Sequence, residues 1–503
     1  MSGRTLAEVV TLPQGELIFA LVAPTGTDFD RVQATVTDFL KQFGYDTNVI
    51  KLSGLAERLH TEQLGVVINS ATEFERVNSR MSLGNKLRNQ AGRGDILALH
   101  AISAISERRG EDVAPQERVV HLLRSLKHPE EVETLRRVYG TGFFLIGVYS
   151  PASKRLAYLM QRKGVSEEQA KKLLERDQDE ADDALGQHTR DTFTLADVFV
   201  TEGKDDELSR FIDLVFGNPF YTPTQDEHSM FLAYAASLRS AQLARQVGAV
   251  VVSADGEVIA TGANDVPKFR GGLYWPGPND QRDHVRGFDA NDRVVSEMIE
   301  DVVTRISGCL AEGTAEDARA CLVDSRIADL TEFGRSVHAE MEALLSCARS
   351  GTRVKDGTLF TTTFPCHNCA KHIVAAGITR VVYVEPYPKS RALELHDDSI
   401  AVDNPQACEK VQFNPFVGIA ARRYFDLFSM RLSSGLPLNR RRGSGAERAA
   451  VEWTRGSATP RIRLSPYSYL QREREAVALI DQAVTAMEQE PDRPMNGSQR
   501  PDN

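Results

Sequence analysis

Four residues stand at spacings that metal chemistry uses: His338 and Glu340 are two apart, Cys366 and Cys369 are three apart, and 28 positions separate the histidine from the first cysteine. Zinc takes nitrogen and thiolate ligands in a tetrahedron. A site that does chemistry keeps the fourth position for water, so one His and two Cys make a complete set. A helix whose first turn holds Pro365 sets both sulfurs on one face, near the positive end of its dipole, where thiolate is favoured. His338 opens a second helical pattern, VHAEMEALLSCARSG, so two helix starts converge on one ion. The ion and both dipoles lower the pKa of a bound water toward neutrality. Glu340 is then placed to take that water's proton and pass it on, without binding the metal itself.

His-x-Glu followed by Pro-Cys-x-x-Cys is the signature of zinc deaminases, in which water displaces the amine of a nucleobase. Two other readings stay open. One is a structural zinc knot, with His367 or His372 as fourth ligand and Glu340 incidental; the other is a redox Cys-x-x-Cys with His338 unrelated. Cys309, Cys321, Cys347 and Cys408 have no partners at ligand spacing and read as packing residues.

The elements that must position these residues sit in a long chain. At 503 residues two domains with separate cores are expected, and 41% hydrophobic with 26% charged residues is the balance of an ordinary globular protein. A net charge of -10 gives no general attraction for nucleic acid. Six cysteines are too few for a disulfide scaffold, which fits a reducing compartment. With no leader pattern at the start and no apolar window of membrane length, the expectation is a cytoplasmic protein with no membrane contact.

ELIFALVAPTGTDFDRVQATVTDFLKQFG reads as strand, loop and helix, and NVIKLSG, GDILALHAISAI and TGFFLIGVYS are further short apolar runs. Residues 15–165 therefore suggest an α/β sheet core. The charge-dense stretch 166–191 reads as a solvated helix or a lid, and DTFTLADVFV returns a strand, giving a first domain over 1–218. Beyond GNPFYTPTQDE, the order helix, hairpin, helix, strand, helix, strand describes a three-layer α/β/α domain over 219–430. Residues 431–503 read as an extension with a basic linker and a frayed tail.

RQVGAVVVSADGEVIATGAND, SVHAEMEALL and TTTFPCHNCAKHIVAAGITRVVYVEPYPKS fall in the order found in deoxycytidylate deaminases, which the chain resembles over roughly 225–430. The resemblance implies a cytidine deaminase-like fold, Zn2+ as cofactor, and Asn264 as a contact to sugar and base. The whole layout, with GLYWPGPNDQRDHVRGFD, is similar to the bacterial two-domain antiviral dCTP deaminases. That similarity implies a P-loop kinase-like parallel sheet in the first domain and conversion of dCTP and dCMP to uracil nucleotides, depleting dCTP during phage infection. It also implies an inhibitory small non-coding RNA as a partner, and assembly as a homo-oligomer is the usual habit of such enzymes.

Lys268 and Arg270, with Arg282 and Arg286, are cations suited to a triphosphate. Tyr274 and Trp275 are candidates to stack on a base, Asp283 to orient substrate, and Tyr387 and Lys389 to contact it at the rim. In the first domain, Thr25, Gly26 and Thr27 occupy the P-loop position between strand and helix, but no Lys follows and Asp28 stands in its place. This favours a regulatory nucleotide or a scaffold over ATP hydrolysis. Two rival functions stay open, a polynucleotide cytosine or adenine deaminase and a zinc-stabilised nucleotide or RNA sensor without turnover.

Overall fold

The computed structural model describes residues 15–60, 68–110, 114–178, 180, 183–307, 314–323, 325, 327–328, 330, 332–386, 390–402, 404, 406–443, 448–462, 464 and 466–489. The described residues form two compact units. One holds the chain up to Pro223 and again from Val417, the other Thr224–Phe416.

In the first unit, largely apolar runs make strands buried on both faces, as parallel strands under two helix layers must be, at β1 (Leu17–Val22), β3 (Val119–Arg124), β4 (Phe143–Tyr149) and β5 (Val198–Thr201), while the polar β2 (Asp46–Lys51) is mostly half-buried or exposed. They lie in the order β2-β3-β1-β4-β5, all parallel, and a short strand at Gly418–Ile419 joins β5 antiparallel. Phe144 meets Phe19 and Phe211 edge-on in the core, with Phe19 and Phe144 centred 5.5 Å apart. Helix α1 (Phe29–Lys41) follows β1, and α2 (Ala152–Lys163) and α3 (Glu167–Gln178) follow β4. The charged stretch is thus a helix, with Ala170, Leu173 and Asp177 as its buried residues.

Two features depart from the sequence reading. GDILALHAISAI is a helix, Ile96–Arg108, whose residues from Ile96 to Ile102 are buried on every side. A buried helix and a buried strand both appear as continuous apolar sequence, and periodicity does not separate them. The chain also re-enters the first unit at Val417, so the described part of 431–503 is not a separate extension. Its helix Pro466–Gln489 packs on Ile96–Arg108 and brings Glu473 to Arg109, which also binds Glu16 in a fully buried ion cluster.

The second unit begins with α4 (Gln225–Ser237), followed by the hairpin β6 (Gly248–Val252) and β7 (Val258–Ala263). An insertion containing α5 (Ala290–Ser307) precedes α6 (Ala339–Ser350), β8 (Thr358–Thr363), α7 (His367–Ala376) and β9 (Arg380–Glu385). With β10 (Ile400–Val402) and β11 (Val411–Pro415), the sheet order is β10-β11-β9-β8-β6-β7. Helix α6 lies directly on β7. A Cβ at Gly262 would stand 2.1 Å from the Ala339 carbonyl oxygen, so only glycine lets the start of α6 approach this closely. Among the described residues no helix is long and apolar enough to cross a membrane.

Candidate metal centre and its cleft

Strand β8 ends in Phe364 and Pro365, and Cys366 caps α7, its sulfur accepting the Cys369 amide at 3.4 Å. Pro365 therefore stands before the cap, not in the helix's first turn. His338 is the N-cap of α6 and makes no side-chain cap bond, which leaves its ring for another partner. It is delivered by an antiparallel bridge between Asp265, just past β7, and Val337. Both caps lie beside the carboxyl ends of sheet strands, where α/β sheets place their sites.

The structure brings His338, Cys366 and Cys369 together, their ligand atoms all within 4.8 Å of one another. His338 Nδ1 lies 3.2 Å from Cys366 Sγ and 3.4 Å from Cys369 Sγ. Tetrahedral zinc with ordinary bond lengths sets such atoms about 3.5 Å apart, so the trio fits that ion. His367 and His372 do not join the group, and among the described residues no fourth ligand does, a set that suits a water in the fourth position. The hydrogen bond from Cys369, together with His338, holds the Cys366 thiol far below its usual range. The Cys369 thiol is pushed up as donor of that bond and by burial. His338 is raised by its bond to Cys366.

Glu340 is buried, with Oε2 3.5 Å from Cys369 Sγ, and burial pushes its carboxyl up while His338 pulls it down. It shares with His338 and Cys366 a cleft of about 460 Å³. Asn264 also lines this cleft, but both ends of its amide are engaged. Oδ1 accepts from the Val247 amide at 2.7 Å and Nδ2 donates to the Arg245 carbonyl at 2.8 Å, so it shapes the loop carrying Arg245.

Lys268 and Arg270 are exposed and are not among the residues lining the cleft. Arg282 is buried against Asp280 and Asp265, which removes it from the cations open to a ligand. Asp283 is buried and paired with Arg335 at 2.6 Å. Trp275 is covered on one face by Arg239, 3.9 Å from the ring centre. Tyr387 and Lys389 lie outside the described residues.

Several cleft residues had no sequence signal that singled them out. Arg245 stands in the stretch RQVGA, and Asp289, Asn291, Asp292 and Ser336 come from the insertion. Asn291 ties the insertion to the cleft rim by donating to the Leu330 carbonyl at 2.8 Å. The Ser336 hydroxyl, two residues before the metal-ligating histidine, is a buried atom with no partner.

In the first unit, Thr25, Gly26 and Thr27 stand between β1 and α1. Gly26 has φ of 89°, and a Cβ there would lie 2.9 Å from Arg155 Cβ and its carbonyl oxygen. Its glycine therefore serves the approach of α2.

Residues 223–385 match the family described as cytidine and deoxycytidylate deaminase zinc-binding region. Deoxycytidylate deaminase of Enterobacteria phage T2 is 31% identical over 166 residues, 32% of this chain and 79% of the relative. That of Mycobacterium phage D29 is 32% identical over 161 residues, 32% of this chain and 94% of the relative. The crystal structure of dCMP deaminase from the cyanophage S-TIM5 in complex with dCMP and dUMP shares 20% identity and covers 39% of this chain and all of its own, with a TM-score of 0.24.

Proposed function

The chain belongs to the deoxycytidylate deaminase family, hydrolases of cyclic amidine C–N bonds with a zinc-binding domain, and from that premise we propose that it deaminates both dCTP and dCMP, with Glu340 moving the protons. The observation that carries this reading is a buried carboxylate sharing one cleft with His338 and Cys366, two of the three gathered metal ligands, with no fourth ligand joining the group among the described residues. When bound, zinc supplies a water that loses its proton near neutral pH. Glu340 takes a proton from the water whose oxygen adds at C4 and gives it to the ring nitrogen, then takes the second proton from the new C4 hydroxyl and gives it to the amine, which departs as ammonia. Burial raises its carboxyl toward the operating pH, where one group serves as base and then acid. Asn264 holds the Arg245–Val247 loop, and the rim tied by Asn291 helps exclude bulk water.

Arg245 supplies a cation in the cleft, and Lys268, Arg270 and Arg286 are exposed cations of the insertion, which suits a nucleotide carrying several phosphates. Asp289 and Asp292 line the same cleft and oppose a polynucleotide backbone. The resemblance to two-domain antiviral enzymes supports a defensive role by dCTP removal, control by a small RNA and assembly of several copies. Uracil formation from dCTP, dCMP, CTP and single-stranded DNA, measured in parallel on zinc-loaded protein, tests the reading. Turnover of both deoxynucleotides is expected. Activity confined to DNA would replace the proposal with polynucleotide editing, and inactivity on all four would favour a sensor.

A further inference from the structure

The loop between β1 and α1 is bonded to acids of its own chain. Asp177, from the last turn of α3, is fully buried. Its Oδ2 accepts the Thr25 amide at 2.7 Å, and its Oδ1 accepts Lys127 Nζ at 2.7 Å. Lys127 Nζ also donates to the Ala23 carbonyl at 3.0 Å. On the other side of the loop the Asp28 amide donates to Glu202 Oε1 at 3.2 Å, and Glu202 is paired with Lys154.

Two observations show that Asp177 is held by the loop and not by its helix. A carboxylate in the last turn of a helix meets the negative end of the dipole, which disfavours it. The buried positive charge also exceeds what Asp177 neutralises. Arg155, 5% exposed, reaches the same loop, with Nη1 3.4 Å from the Thr25 carbonyl and Nε 3.1 Å from the Ser150 carbonyl. Carbonyls are its bonded partners there, and Asp177 is the acid acting on its charge. Among the described residues, one carboxylate thus answers two largely buried cations. An anion with two or more charges and several acceptor oxygens would answer both and the Thr25 amide together.

We infer that the β1–α1 loop is a site for a phosphate group held shut by Asp177, with α3 as a latch that a phosphate-bearing ligand displaces. Asp177 stands in for that phosphate, with one charge where the ligand carries more. Entry of the ligand requires the carboxylate to leave and α3 to move with it.

Calorimetric titration of the full chain with tripolyphosphate tests this. Asp177→Ala should bind it roughly tenfold or more tightly than the unaltered chain, because a competing acid has left two buried cations. Adding Lys127→Ala should reverse the gain. Asp177→Asn, which keeps the size of the side chain and removes its charge, guards against an Asp177→Ala protein that does not fold, and its affinity should rise as well. In the unaltered chain, millimolar tripolyphosphate should speed amide exchange over residues 167–178. Equal binding by the folded variants and the unaltered chain, or none by any of them, overturns the inference. A gain that survives Lys127→Ala overturns it too.

Discussion

Two loops of this molecule are built alike and finished differently. In each, a sheet strand ends, the chain turns, and a helix begins: β8 into α7 through Cys366, and β1 into α1 through Thr25–Asp28. At the first, Cys366, Cys369 and His338 gather their donor atoms and no fourth ligand joins them among the described residues, while Glu340 lies beside them. At the second, the Thr25 and Asp28 amides already bond Asp177 and Glu202. Buried polar groups are satisfied somewhere in a stable fold. The difference shows where each loop finds that satisfaction. The metal centre needs an ion from outside, whereas the first-unit loop has closed on its own acids.

The largest expected effect breaks the open site in two distinguishable ways. Cys366→Ser should lose both zinc and activity, because a thiolate ligand is gone. Glu340→Gln should keep its zinc and lose turnover by roughly 10²–10⁴, the usual worth of a positioned general acid–base. Metal analysis beside uracil formation reads both. Loss of zinc in Glu340→Gln would make that residue part of the metal's support, and near-normal turnover would remove it from the chemistry.

A smaller effect should touch the closed loop's side alone. His128, next to Lys127, is buried and caps the helix Pro129–Tyr139. Burial first, then the charge of Arg88, pushes its pKa down to about 3. The folded value lies below the unfolded one near 6.5, so the unfolded chain binds the extra proton between them. Stability from this source is complete above about pH 6.5 and falls as pH drops toward 3, by up to about 1.4 kcal/mol per pH unit. His128→Asn keeps a capping acceptor and removes the titration. Between about pH 7.5 and pH 5 the unaltered first unit should lose about 2 kcal/mol more than the variant, read by amide exchange over β1 and β3. Parallel losses would mean that His128 does not titrate as its burial dictates.

How much of this was legible depended on how locally each feature is encoded. The metal centre lies in two short segments whose spacing survives folding, and helix caps at His338 and Cys366 are local events. The second unit's hairpin and helices followed from turn and periodicity signals. What escaped is long-range. Arg109 and Glu473 pair across 364 positions, and the two-residue strand at Gly418–Ile419 has no pattern to detect. Asp177 belongs to a charged run in which Glu167, Glu168, Lys171 and Lys172 are exposed, and its burial separates it from them. The insertion's cleft residues depend on a tertiary tie, Asn291 to Leu330. For the helix at Ile96–Arg108, burial on all sides erased the periodicity that distinguishes helix from strand.

The smallest expected effect bears on how far the open site extends beyond its cleft. Lys268 and Arg270 are exposed and stand outside the cleft lining, while Arg245 is within it. On the proposed reading, a monophosphate with its base at the metal would meet the cleft cation Arg245. Further phosphates would extend toward the exposed cations, whose attraction is worth roughly 1 kcal/mol or less, since solvent screens them. Lys268→Ala with Arg270→Ala should therefore raise KM for dCTP by roughly three- to fivefold, leave kcat near its normal value, and leave dCMP almost unchanged. Added salt should erase the difference, because exposed charges are screened while the metal centre is not. Equal changes for both nucleotides would confine recognition to the cleft and remove the triphosphate from the insertion. A fall in kcat for both would mean instead that the insertion helps to close the cleft over the reacting base.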